Sequence, residues 1–149
     1  MNAIKKILCP TDFSDSSQVA SALAVDLAAK LGAAVEFLHV VQPPVYVGWE
    51  DSPAGLAATA QLLDQTRERA ESQLKAAVEK FNGRGVQIHT QLQDGSPHQQ
   101  ISELSKQVDL IVMGTHGRTG LPHLLLGSVA ERVVRTASCP VMTVPTHKH

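Results

Sequence analysis

The sequence predicts a single doubly wound α/β domain, with a five-stranded parallel sheet and helices on both of its faces. Three observations lead there. Segments rich in β-formers alternate with stretches of helical period along the whole chain. The intervals between successive strands are long enough to hold the crossover helices that parallel neighbours require. One strand, DLIVM, is continuously apolar, as a strand covered on both faces should be. A chain of 149 residues can bury one proper core but not two, so the expected domain is 1–149.

Each element has its own warrant. Residues 4–9 (IKKILC) read as a short first strand. A helix follows Ser14, because Ala20, Leu23, Ala24, Leu27 and Leu31 recur at steps of three and four. Gly32 is placed to stop it. Ala34–Val41 (AVEFLHVV) is a second strand. The prolines and glycines of residues 42–55 mark a loop, which holds the only Tyr and Trp, Tyr46 and Trp49. A long helix is expected over 56–82, with Leu63, Thr66, Ala70, Leu74, Ala77 and Phe81 facing inward and Gly83 and Gly85 ending it.

The third strand is expected over 86–92. Ser96, Pro97 and Gln99 supply an N-cap, an N1 proline and a partial capping box for a helix reaching about Gln107. The fourth strand is DLIVM, 109–113. Ser128–Thr136 is the last helix, with Ala130, Val133, Val134 and Ala137 toward the core, and Val141–Val144 is the fifth strand.

Composition narrows the function. Apolar residues at 43% and charged residues at 18% fit a soluble globular protein, and 13 basic against 14 acidic residues leave no footprint for nucleic acid. No apolar run reaches the length of a membrane span, and the apolar stretch of MNAIKKILCPTD is too brief for a signal peptide. Cys9 and Cys139 form no CxxC and read as reduced, small buried hydrophobes of a cytoplasmic protein. At opposite ends of a parallel sheet they stand beyond disulfide reach.

The chemistry concentrates in MGTHGRTGLPHLLLGSVAERV, residues 113–133. Ligands of open α/β sheets lie beyond the carboxyl ends of the strands, at the point where strand order reverses. Gly114 and Gly117 would let bare amides approach a ligand there, unless these glycines serve only to shape a long connection. Ser128 with Glu131 fits a capping box, and a helix start favours phosphate, so the Ser128 hydroxyl can cap or donate to a phosphate oxygen. Neither GxxxxGK[ST] nor GxGxxG is present.

The spacing Gly114-x2-Gly117-x9-Gly127-Ser128 closely resembles the ATP-binding signature of the universal stress protein family, Gly-x2-Gly-x9-Gly-[Ser/Thr]. The resemblance extends over CPTDFS at 9–14, LHVV at 38–41, GSP at 95–97 and GSVAERVVRTASCPVMTVP at 127–145. It implies the strand order 3-2-1-4-5, which places strands one and four side by side at the reversal point. It also implies a nucleoside site at Pro10, Thr11 and Asp12, and a backbone contact to adenine at Val40. The ribose and phosphate wall would be Met113, Gly114, Gly117, Gly127, Ser128 and Val129, with His116 and Arg118 able to approach the phosphates. The implied ligand is ATP or another adenine nucleotide accompanied by Mg²⁺, and the implied assembly is a homodimer through Val141–Val144.

Other roles are open to these residues. Asp12 could instead cap the first helix. His39 reads as a satisfied, half-buried strand residue, and neither His116 with His123 nor His147 with His149 fixes a metal geometry. A slow ATPase or autophosphorylating enzyme would have to use Asp12, His116 and Arg118, with Ser128 or Thr115 as acceptor, and none has a diagnostic partner. No catalytic residue and no protein metal site is assigned. A receiver domain is disfavoured, because only Asp15 stands near Asp12, Asp94 leads into a helix cap, and VMTVP lacks a lysine.

Overall fold

The computed structural model describes residues 2–43, 52–116 and 126–146. Its elements are β1 Lys6–Pro10, α1 Asp15–Leu31, β2 Ala34–Val41, α2 Pro53–Glu79, β3 Ile88–Asp94, α3 Pro97–Leu104, β4 Leu110–Gly114, α4 Ser128–Thr136 and β5 Val141–Val144. A single 3₁₀ turn, Ser105–Gln107, extends α3. Tyr46, Trp49, Gly117, Arg118, His123, His147 and His149 lie outside the described residues.

The sheet has the order β3-β2-β1-β4-β5, and every pairing is parallel. Side chains alternate between two cores, as the period of a strand demands. Ile7, Cys9, Val35, Phe37, Leu110 and Val112 face one side, packed against Ala20, Ala24 and Ala28 of α1 and Leu74 of α2, with Phe81 just beyond it. Phe37 and Phe81 stack at 5.9 Å. The intervening residues Leu8, Leu38, Ile111 and Met113 face the other side, against Ile101 of α3 and Ala130 and Val133 of α4. The apolar run of β4 is buried on both faces, and helices cover both sides of the sheet.

Several boundaries differ from the sequence reading, each for a physical reason. β1 begins at Lys6, where pairing with Ala34 starts, and ends at Pro10 opposite Leu38. β3 is displaced two residues toward the C-terminus because it follows β2 to its end, Val41 against Asp94. α2 starts within the expected loop: the Ser52 hydroxyl accepts from Gly55 N–H at 2.9 Å, with proline at the first helical position. Leu31, in the last turn of α1, and Val134 of α4 are about half exposed rather than inward. Ser96 precedes α3 without a side-chain cap, its hydroxyl bonded instead to His98 Nδ1 at 2.9 Å.

Candidate functional site

The cleft originates in the sheet. Between β1 and β4 the ladder consists of Ile7↔Leu110 and Leu8↔Ile111. Beyond those pairs the two strands separate, and Pro10 has no N–H to continue the ladder. The separation falls at the carboxyl ends of the two strands where the order reverses, the position expected for a ligand. It opens into a cleft of about 710 Å³, a size suited to a nucleotide-scale ligand.

Gly117 and Arg118 lie outside the described residues. Every other residue expected at the site lines this one cleft: Pro10, Thr11 and Asp12 after β1, Val40 on β2, Met113, Gly114 and His116 at the end of β4, and Gly127, Ser128 and Val129 at the start of α4. Residues more than a hundred positions apart therefore share one surface.

The loop after β1 is built by its own side chains. Asp12 Oδ1 accepts from Ser14 N–H at 3.0 Å and from the Ser14 hydroxyl at 2.5 Å. The Ser14 hydroxyl also accepts from Ser17 N–H, so Ser14 is the N-cap of α1 and Asp12 braces it from the side. Thr11 is buried; its hydroxyl donates to Ser17 Oγ at 3.1 Å and accepts from Phe13 N–H at 3.1 Å. These bonds hold Phe13 at φ 66°, a left-handed conformation uncommon for a bulky residue. The Phe13 ring lies 4.5 Å from that of His39, whose Nδ1 is 2.7 Å from the Thr11 carbonyl oxygen. His39 is thus partnered and half-buried, a structural post that orients the Asp12 loop.

The opposite wall is pinned to the same helix. His116 N–H donates to Ser16 Oγ at 3.3 Å. Gly114 passes so close to α1 that a Cβ there would fall 2.4 Å from Ser16 Oγ, 2.8 Å from its carbonyl carbon and 2.9 Å from its carbonyl oxygen. Glycine at 114 is therefore required by helix packing, independently of any ligand. Thr115 N–H donates to Val144 O at 3.2 Å, and Gly127 N–H donates to Thr115 O at 2.6 Å. The second bond draws the start of α4 to the end of β4.

The expected Ser128–Glu131 capping box does not form. Gly127 is the N-cap, Ser128 is the first helical residue and exposed, and Glu131 pairs with Arg135 at 2.8 Å. A glycine cap offers no side-chain acceptor, so the first-turn amides at Ser128 and Val129 depend on something outside the helix. With the helix dipole they form a site that suits an anion. The Asp12 carboxylate across the cleft suits hydroxyl or amino donors. An elongated ligand with an anionic tail and a donor-rich body fits this pair of walls. No group of three or more His, Cys, Asp or Glu that could hold a metal occurs among the described residues.

One wall escaped the sequence reading. Thr66, Arg69, Ala70 and Gln73 of α2 line the same cleft as Leu38, His39, Val40 and Val41 of β2. Helix length is only a partial signal for it. At 27 residues α2 is about 40 Å long, whereas the eight-residue β2 spans about 26 Å, so the helix overhangs the strand ends.

Comparison with known proteins identifies the family of this fold. The model of the universal stress protein family matches residues 3–145, and the chain belongs to that family. It is 40% identical to universal stress protein MJ0531 of Methanocaldococcus jannaschii over 149 residues, 99% of this chain and 85% of that one. The solved UspA of Lactobacillus plantarum superposes with a TM-score of 0.84 at 28% identity, covering 97% and 99% of the two chains. A universal stress protein solved in complex with cAMP superposes with a TM-score of 0.72 at 27% identity, covering 98% and 100%.

Proposed function

We propose that the cleft binds an adenine nucleotide, ATP in the first instance, and that the protein is a nucleotide-dependent regulatory or sensor module of the stress response. The observation that carries this reading is the opposition of the Asp12 loop and the uncapped start of α4 across one cleft. In this arrangement the phosphates lie against the amides of Ser128 and Val129 and the backbone at Gly114, with Gly117, His116 and Arg118 completing that wall. The ribose meets Asp12, beside Pro10 and Thr11, and the base meets the backbone at Val40 near Met113. The cAMP complex of a relative at 27% identity supports the adenine nucleotide class. Mg²⁺ accompanies the phosphates, held by them rather than by a protein ligand set.

The assembly in this reading is a homodimer through Val141–Val144. That strand closes one edge of the sheet, with Met142 exposed on it. The compartment is the cytoplasm, in keeping with two cysteines that are both free thiols.

Calorimetry with ATP, ADP, AMP and cAMP, with and without Mg²⁺, tests the reading. Saturable heat abolished by Asp12→Ala supports it. Absence of heat across the series overturns it. Sedimentation showing only monomer at tens of micromolar would overturn the dimer and leave the ligand reading intact.

A further inference from the structure

The inward stripe of α2 changes character along its length. Leu74, and Phe81 just past the helix, are buried among the side chains of the first core, while Ala70 is buried against the cleft. Thr66, Arg69 and Gln73, at spacings of three and four on that same side, are polar and line the cleft. Arg69 and Gln73 are exposed and Thr66 is half-buried where they line the cleft. These side chains therefore address the cleft rather than the core.

The rotation of α2 is set by its buried residues, Ala70 and Leu74. Arg67 pairs with Asp94 at the end of β3, which ties the helix to the sheet edge. Among the described residues Arg69, two residues on, has no ion pair, and besides the histidines it is the only basic side chain of those residues that lines the cleft. Arg69 offers five donors and no acceptor, while Gln73 offers two donors and an acceptor.

The sheet order determines which end of a nucleotide this wall meets, granting the nucleotide reading above, on which the inference rests. The anionic end is fixed at α4, beside β4. β2 is two strands away, about 10 Å across the strand ends. A nucleotide that crosses the Asp12 loop from α4 therefore brings its base beneath the polar stripe of α2. The N7 edge of a purine carries an acceptor, next to an amino group in adenine. Glutamine can engage adenine N6 and N7 together, and a guanidinium can donate to N7 of any purine.

We infer that Arg69 and Gln73 form a base-reading wall that recognises the N7 edge of the bound purine. The test compares ATP with 7-deaza-ATP, in which N7 is replaced by C–H, against the wild type, Arg69→Ala and Gln73→Ala. Both side chains are exposed, so the variants are expected to keep the wild-type melting temperature. The wild type should bind ATP about tenfold more tightly than 7-deaza-ATP, the scale of one charge-assisted hydrogen bond. In Arg69→Ala that ratio should fall toward one, chiefly by weaker ATP binding, with a smaller fall in Gln73→Ala. A cycle of this kind isolates the contact from general loss of affinity. Equal wild-type affinities for the two nucleotides, or an undiminished ratio in both variants, would overturn the base-reading wall and leave nucleotide binding standing. Failure of the wild type to bind either compound would instead remove the nucleotide reading itself, and this inference with it.

Discussion

Replacing Gly114 by alanine is the sharpest test of how the cleft is held together. The backbone at 114 is not in the left-handed region, so an alanine there incurs no dihedral strain and its effect is steric alone. Its methyl would lie 2.4 Å from Ser16 Oγ, 2.8 Å from Ser16 C and 2.9 Å from Ser16 O. A hydroxyl can rotate away, but the two backbone atoms move only with α1. Overpacking of this kind costs ~1–3 kcal/mol. For a domain of 149 residues each kcal/mol corresponds to a fall of about 2–4 °C in melting temperature. Gly114→Ala should therefore melt roughly 2–12 °C lower and lose urea midpoint with little change in slope. Pairing it with Ser16→Ala removes the hydroxyl contact but neither backbone contact, so rescue should be partial. The same displacement moves the His116 amide off Ser16, so nucleotide affinity should fall as well. A variant with the wild-type melting curve and wild-type affinity would refute both the close approach and its role in fixing the cleft.

Three further outcomes are expected. Asp109 Oδ2 accepts from the N–H groups of Lys5 and Lys6, both at 2.9 Å, and these bonds hold its carboxyl below the usual range. A depressed carboxylate stabilises the fold above the ordinary carboxylate pKa, and that contribution is lost as pH falls through the lowered value. The urea midpoint of the wild type should exceed that of Asp109→Asn near neutrality, and the gap should close as pH drops below about 4; a gap independent of pH would contradict this. Burial pushes the Cys9 thiol up to about 12, despite its contact with the Ser21 hydroxyl, and burial also raises Cys139. A disulfide reagent at pH 8 should therefore find at most one slow thiol, Cys139, in the native protein and both in denaturant; rapid titration of two native thiols would count against the buried position of Cys9. Gly32 caps α1 at φ 65° with open space around it, so Gly32→Ala should cost ~1–2 kcal/mol in chemical denaturation, purely from conformation. Unaltered stability would show that the cap adopts another geometry.

The sequence made the architecture legible wherever periodicity and punctuation agree. Richness in β-formers placed β2 to the residue, and Gly32 marked the end of α1 because a left-handed cap strongly favours glycine. What stayed hidden depended on pairing. β3 carries no internal signal for where it stops; its end at Asp94 is imposed by Val41 across the ladder. Ser52–Pro53 has the same start signature as Ser96–Pro97, yet the glycine and prolines around it read as loop. Ser128 and Glu131 have capping-box spacing, but the turn reverses one residue earlier because Gly127 is anchored to Thr115. At the site, residues within the signature were legible through their spacing. Arg69 and Gln73 were not, because only the crossover of α2 brings them above β2, and no local pattern encodes an overhang.

The N-cap and first turn of α1 hold three serines in four residues, and each hydroxyl serves a different neighbour: Ser14 meets Asp12, Ser16 receives the His116 amide, and Ser17 meets Thr11. Serine is a mediocre helix former, so this turn gives up some intrinsic helicity for its outward bonds. Mechanically, a short rigid bracket carries both jaws of the pocket. A push on either jaw is transmitted through the bracket to the other, so the pocket should tighten or slacken as one piece, and a hydroxyl lost from this turn should loosen a jaw that it never touches.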